Sequence, residues 1–215
     1  ATSRGTQIFS WFEDALLNQV IEELVKQYAF REEEAWDLLY SGGLTIYSTQ
    51  DTRLQTICET EAVRPEWYNE NQEISLVMTN VQTGAVEAMI GGSKEKTASL
   101  TYNRATDAIR QPGSTIKVIG EYAAAMDTGV ITLGTTIDDA PYTYSDGTAL
   151  SNSYGSYRGM VTVNDAIVSS GNIVALKTLQ MVGVDKVYDY LQKFGITTLT
   201  YDDKIEALAL GGTHN

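Results

Sequence analysis

At 215 residues, with 43% apolar and 20% charged side chains, the chain is long enough to bury a sizeable core and suggests one or two globular domains. Its 28 acidic residues against 15 basic ones give a net charge of −13, which argues against a nucleic-acid surface built on phosphate contacts. No run of 18 apolar residues occurs and the start Ala1-Thr-Ser-Arg-Gly5 is polar, so neither a membrane span nor a signal peptide is visible.

In chain order, residues 10–28 carry apolar side chains at Trp11, Phe12, Ala15, Leu16, Val20, Leu24, Val25 and Tyr28, the spacing of an amphipathic helix. A shorter helix is expected over Glu32–Tyr40, closed by Gly42-Gly43, then a strand at Leu44–Tyr47 and a helix near Asp51–Val63 capped by Thr49 or Asp51. The single cysteine, Cys58, permits no internal disulfide and shares the apolar face of that helix with Leu54 and Ile57, so it is assigned to the core. Runs Ile74–Asn80 and Ala85–Ile90, separated by a turn ending in Gly84, read as a β-hairpin. Residues 93–112 read as a loop. An apolar, alanine-rich helix follows from Pro112-Gly113 through Met126, ended by Gly129. Residues 132–159 are rich in Thr, Ser, Gly, Tyr and Asp, long for a structureless loop, and loops of that length are often functional or partly ordered. Tyr142, Tyr144, Tyr154 and Tyr157 there either rim a groove or pack on the surface. Three helices are expected over 161–194.

Chemistry concentrates at two places. Ser114 and Lys117 lie three residues apart, on one side of a helix, where an amine can take a hydroxyl's proton. Burial in the apolar helix would favour the neutral amine that a base requires. The plainer alternative is a capping serine and a lysine paired with Glu121 at i+4. A second S-x-x-K copy, Ser93–Lys96, lies in a polar run and is assigned to a solvated loop. Downstream, Ser170-Gly171-Asn172 falls between two helix-like stretches, either as punctuation or as a hydroxyl for proton relay and an amide for gripping a peptide. The one histidine, His214, disfavours a Ser-His-Asp triad or a histidine-rich metal centre; no metal and no cofactor is expected.

S-x-x-K followed by S-x-N resembles the first two motifs shared by penicillin-binding proteins and serine β-lactamases. The resemblance extends along the chain in the order of class A penicillin-binding proteins. Gly42–Gln55 is similar to their linker, Val77–Gly92 to their first transpeptidase hairpin, and Asn103-Arg-Ala-Thr106, Tyr157-Arg-Gly159 and Ala207–Gly212 to flanking segments. It implies an α+β fold of the penicillin-binding transpeptidase and serine β-lactamase type, an antiparallel sheet packed by helices, incomplete in this chain. Residues 1–70 would be linker and 71–215 the N-terminal part of the transpeptidase domain. Two departures stand out. Val118 replaces the family's proline after the lysine, and no Lys-Thr/Ser-Gly triplet occurs, Lys96-Thr-Ala98 and Lys177-Thr-Leu179 lacking the glycine. Truncation of a larger protein would explain the second, and would leave this chain catalytically poor alone.

The resemblance further implies catalytic roles for Ser114, Lys117 and Ser170 and a substrate-binding role for Asn172. The reaction would be D,D-transpeptidation of peptidoglycan stem peptides through an acyl-enzyme, with β-lactams acylating the same serine. The parent protein would carry a glycosyltransferase, sit on the outer face of the bacterial membrane by an N-terminal anchor, and meet cell-wall synthesis partners. A non-catalytic penicillin sensor is the alternative. A β-lactamase is disfavoured, since no Glu-x-x-Leu-Asn string follows Asn172.

Overall fold

The computed structural model describes residues 8–64, 66 and 71–213. The chain divides into two compact units, Ala1–Ala108 and Ile109–Asn215.

The first unit opens with α1 (Trp11–Tyr28), whose start is fixed by reciprocal bonds between Ser10 and Glu13, 3.1 Å from the Glu13 N–H to the serine hydroxyl and 2.7 Å back from the Ser10 N–H. Of the apolar face expected along it only Trp11 and Phe12 are buried, joined by Ile21, while Val25 and Tyr28 are exposed. Helix α2 (Glu32–Ser41) follows. Residues 44–47 do not form the expected strand. The next backbone bond toward the hairpin comes only at the Asp51 N–H to Glu87 O, 2.9 Å, so the extended stretch has no ladder to join. Asp51, rather than Thr49, caps α3 (Thr52–Ala62), accepting the N–H groups of Arg53 and Leu54 at 2.9 and 3.0 Å.

The predicted hairpin is β1 (Leu76–Thr79) against β2 (Val86–Ile90), antiparallel, with a register irregularity at Met78/Thr79. Helix α3 docks on β2 through buried Gln55, whose amide donates to Met89 O and accepts the Met89 N–H, both at 2.9 Å, and so satisfies strand-edge groups. Cys58 joins Trp11, Ala62, Ala88 and Ile90 in the small core as expected, with Leu54 packed against it, whereas Ile57, assigned to the same face, is exposed. The Ser93–Lys96 segment is a loop but not a solvated one. Ser93 is buried and donates to Glu73, and Lys96 pairs with buried Asp14 at 2.7 Å beneath the face of Trp11. Unpaired, that aspartate would be a costly buried charge, and it draws the lysine inward.

The second unit is built round α6 (Asn172–Val182), buried at six of its eleven positions and apolar on most sides. One core cluster on it includes Ile116, Ile173, Leu176, Val187, Leu191 and Leu208; another includes Tyr122, Ala125, Ile137, Val163 and Val174. Around it lie α4 (Ala123–Asp127), α5 (Val163–Val168) and α7 (Val184–Lys193), so the three helices expected over 161–194 are present. Strand β3 (Thr136–Asp139) pairs antiparallel with β6 (Gly159–Thr162), joining the ends of the long polar stretch. Within that excursion β4 (Tyr142–Thr143) and β5 (Ala149–Leu150) form a minimal hairpin. His214 lies outside the described residues.

Candidate active site

The helix expected to run unbroken from Pro112 is instead composite. Ser114 lies in a single 3₁₀ turn, Gly113–Thr115, and a five-residue π turn, Val118–Tyr122, precedes α4. Gly120, inside the π turn, has non-helical dihedrals of −86° and −109°. Glycine tolerates that backbone, and its bare Cα lies against α7, where an added Cβ would sit 3.4 Å from Val187 Cγ1. Such turns cluster at functional sites. Ser114 is exposed, and among the described residues its hydroxyl makes no hydrogen bond.

Lys117 is only 2% exposed. Its Nζ lies 2.9 Å from Ser170 O, 3.2 Å from Ser170 Oγ and 2.6 Å from Asn172 Oδ1. The structure thus brings Lys117, Ser170 and Asn172 into direct contact, and Ser114 stands three residues before the lysine without touching it by a hydrogen bond. The i+4 pairing of Lys117 with Glu121 does not form. Both Glu121 oxygens are buried without a partner. Burial pushes the Lys117 amine below its usual range; an ionised Glu121 would act the other way. Burial likewise holds the Glu121 carboxyl well above the usual carboxylate range.

Ser170 adopts φ 53°, uncommon for a residue with a Cβ. That geometry turns its carbonyl and hydroxyl to the same amine. It follows α5, which Thr162 caps by accepting the Asp165 N–H at 3.0 Å, and precedes Gly171, the N-cap of α6.

Sequence reasoning missed Asn152 and Asp139. Asn152 Oδ1 accepts the N–H groups of Asn172 and Ile173 at 2.8 and 3.3 Å, supplying from a distant loop the cap that Gly171 lacks. Its amide donates to Asp139 at 2.7 Å, and the same buried aspartate accepts from the Tyr154 hydroxyl and the Arg158 N–H at 2.8 and 3.1 Å. Asn172 Nδ2 donates to Ser151 O at 2.8 Å, which leaves its Oδ1 for Lys117. The sequence offered no more than an aspartate and an asparagine within the polar stretch. Of the four tyrosines there, Tyr142 and Tyr144 pack against the main core, Tyr154 is bound to Asp139 and Tyr157 is exposed. The described residues hold no cluster of metal-ligating side chains.

The profile of the penicillin-binding protein transpeptidase domain matches residues 74–208. Penicillin-binding protein 1A of Clostridium acetobutylicum is 33% identical over 226 residues, covering 94% of this chain and 28% of that protein. Penicillin-binding protein 1F of Bacillus subtilis is 37% identical over 205 residues, covering 94% and 27%. Among solved structures, penicillin-binding protein 1A of Haemophilus influenzae superposes with TM-score 0.57 at 34% identity, over 66% of this chain and 21% of that one. The PonA1 protein of Mycobacterium tuberculosis in complex with penicillin V superposes with TM-score 0.73 at 23% identity, over 94% and 54%, a likeness of fold. The chain belongs to the penicillin-binding protein transpeptidase family. Its relatives there are penicillin-binding proteins 1A and 1F, in keeping with the class A linker that Gly42–Gln55 resembles, and it spans about a quarter to a third of their length.

Proposed function

We propose that this chain carries the serine centre of a peptidoglycan D,D-transpeptidase, which is also the centre that β-lactams acylate. Ser114 Oγ attacks the carbonyl between the terminal D-alanines of a stem peptide, and Lys117 takes the hydroxyl proton. Ser170 passes a proton to the departing amine, so the C–N bond breaks as the ester forms. A second amine then attacks that ester, Ser114 regains its proton and a cross-link results. The Ser114 N–H is one oxyanion donor. Asn172 aligns the peptide group of the substrate.

The observation that carries this reading is the buried Lys117 amine, held by two obligate acceptors, Ser170 O and Asn172 Oδ1, and by one hydroxyl able to donate to its lone pair. That set suits a neutral amine. The exposed Ser114 hydroxyl is free for attack and closes on Lys117 when substrate binds, as catalytic hydrogen bonds commonly do. The site faces the outside of the bacterial membrane in the whole protein.

The test is labelling of the protein, as its gene encodes it, by a fluorescent penicillin. A long-lived adduct that disappears in Ser114→Ala is expected. A fleeting adduct would indicate a β-lactamase, and no adduct a non-catalytic scaffold.

A further inference from the structure

Among the described residues, Glu121 alone has both carboxyl oxygens buried and without a hydrogen-bond partner. It is fully buried, and it lies four residues from Lys117. On an ordinary helix that spacing would bring the two together. Here Glu121 itself lies in the π turn Val118–Tyr122 that starts directly after Lys117, and the wider i→i+5 repeat breaks the alignment. Lys117 has meanwhile committed its nitrogen to Ser170 and Asn172.

We propose that Glu121 is a positioning residue that remains a protonated acid beside Lys117, so that no fixed negative charge obliges the amine to keep its proton. This rests on Lys117 being the base. An ionised carboxylate there would have no hydrogen bond from any other described residue, with only its own backbone N–H to ease the charge, and burying so poorly partnered an ion costs far more than burying the neutral acid. Were it ionised, its field in this dry place would favour the ammonium form, and Ser114 would lose its proton acceptor.

Among the described residues, Lys117 is the one charged side chain that acts on the Glu121 carboxyl. Helix α6 presents Ile173, Val174, Ala175, Leu176, Thr178 and Leu179 to the interior, and α7 presents Val187 and Leu191. Asp127, at the end of α4, is exposed and bonded to Tyr190. The groups that couple to Glu121 are Lys117 and the Tyr122 phenol, which burial and Glu121 together push up, with Tyr154 adding to the effect from the polar stretch. Tyr154 is itself held by Asp139 and covered by Arg158.

Infrared spectroscopy on the protein as its gene encodes it, labelled with [13C]glutamate, tests this. A protonated-carboxyl band should persist through neutral pH, shift with the isotope and vanish in Glu121→Gln. The isotope experiment on the unaltered protein needs no variant to fold. Absence of that band at neutral pH overturns the proposal. So does a Glu121→Gln acylation profile whose acid limb moves down by a full pH unit, the tenfold change expected if a charged carboxylate had been holding the Lys117 proton. If Ser114→Ala labels like the unaltered protein, the acyl-transfer reading falls, while the infrared band still decides the state of Glu121.

Discussion

Gly211 lies at φ 74°, directly against Gly113, the residue before Ser114. A Cβ added there would lie 2.5 Å from Gly113 N and 2.7 Å from its carbonyl carbon, closer still to the carbonyl oxygen. These are backbone atoms, which cannot swing aside as a side-chain tip can. In Gly211→Ala the turn Gly113–Thr115 must therefore retreat by about 1 Å, and a misplacement of that size at a reacting group costs about a hundredfold in rate. The left-handed backbone adds about 1–2 kcal/mol of destabilisation for a residue with a Cβ. Gly129→Ala is the control. Its φ is also 74°, but its Cβ would meet nothing within 4 Å, so only the conformational cost applies. The assay is the second-order rate of acylation by a fluorescent penicillin, with thermal unfolding followed on the same samples. Both variants should melt earlier, and only Gly211→Ala should lose about two orders of magnitude in acylation. A folded Gly211→Ala protein acylated at the unaltered rate would refute the reasoning.

Asn152→Ala removes the cap of α6 and one donor to Asp139; a loss of about 2 kcal/mol in denaturant unfolding is expected, together with slower acylation as Asn172 loses its anchor. Because burial sets the Lys117 amine below its ordinary 10.5, and the amine is a base only when deprotonated, the acylation rate should climb with pH through that lowered value. Lys117→Met should erase the limb and slow acylation by about 10²–10⁴-fold, read by stopped flow. Glu121 works oppositely on stability. Its folded-state pKa lies above the ordinary 4.5, so its contribution is complete below about 4.5 and is lost as pH rises toward the folded value. Relative to Glu121→Gln, the unaltered protein should therefore lose up to about 1.4 kcal/mol per pH unit over that window in denaturant titrations; parallel pH curves would contradict this.

Local signals carried far in the sequence because their partners are near in sequence. The junction at Ser170-Gly171-Asn172, the turn of the hairpin and the Asp51 cap each depend on residues within a few positions of one another. What failed depended on distant partners. Nothing near Ser93 or Lys96 announces that Glu73 and Asp14 will draw them inward. Nothing near Asn172 announces a cap supplied by Asn152, twenty residues earlier. The π turn was hidden for another reason: the alanine-rich pattern is equally good for an α-helix, and only packing of α7 against Gly120 exposes the extra turn. Leu44–Tyr47 has strand-like residues, but a strand also needs a ladder to join.

The left-handed serine between α5 and α6 offers Lys117 two different kinds of grip from one residue, a fixed main-chain oxygen and a hydroxyl on a rotatable bond. Under the proposed mechanism, swivelling that hydroxyl toward a leaving group would break only the movable half. The amine would stay moored by the carbonyl and by Asn172, so a relay could turn over without shifting its anchor point.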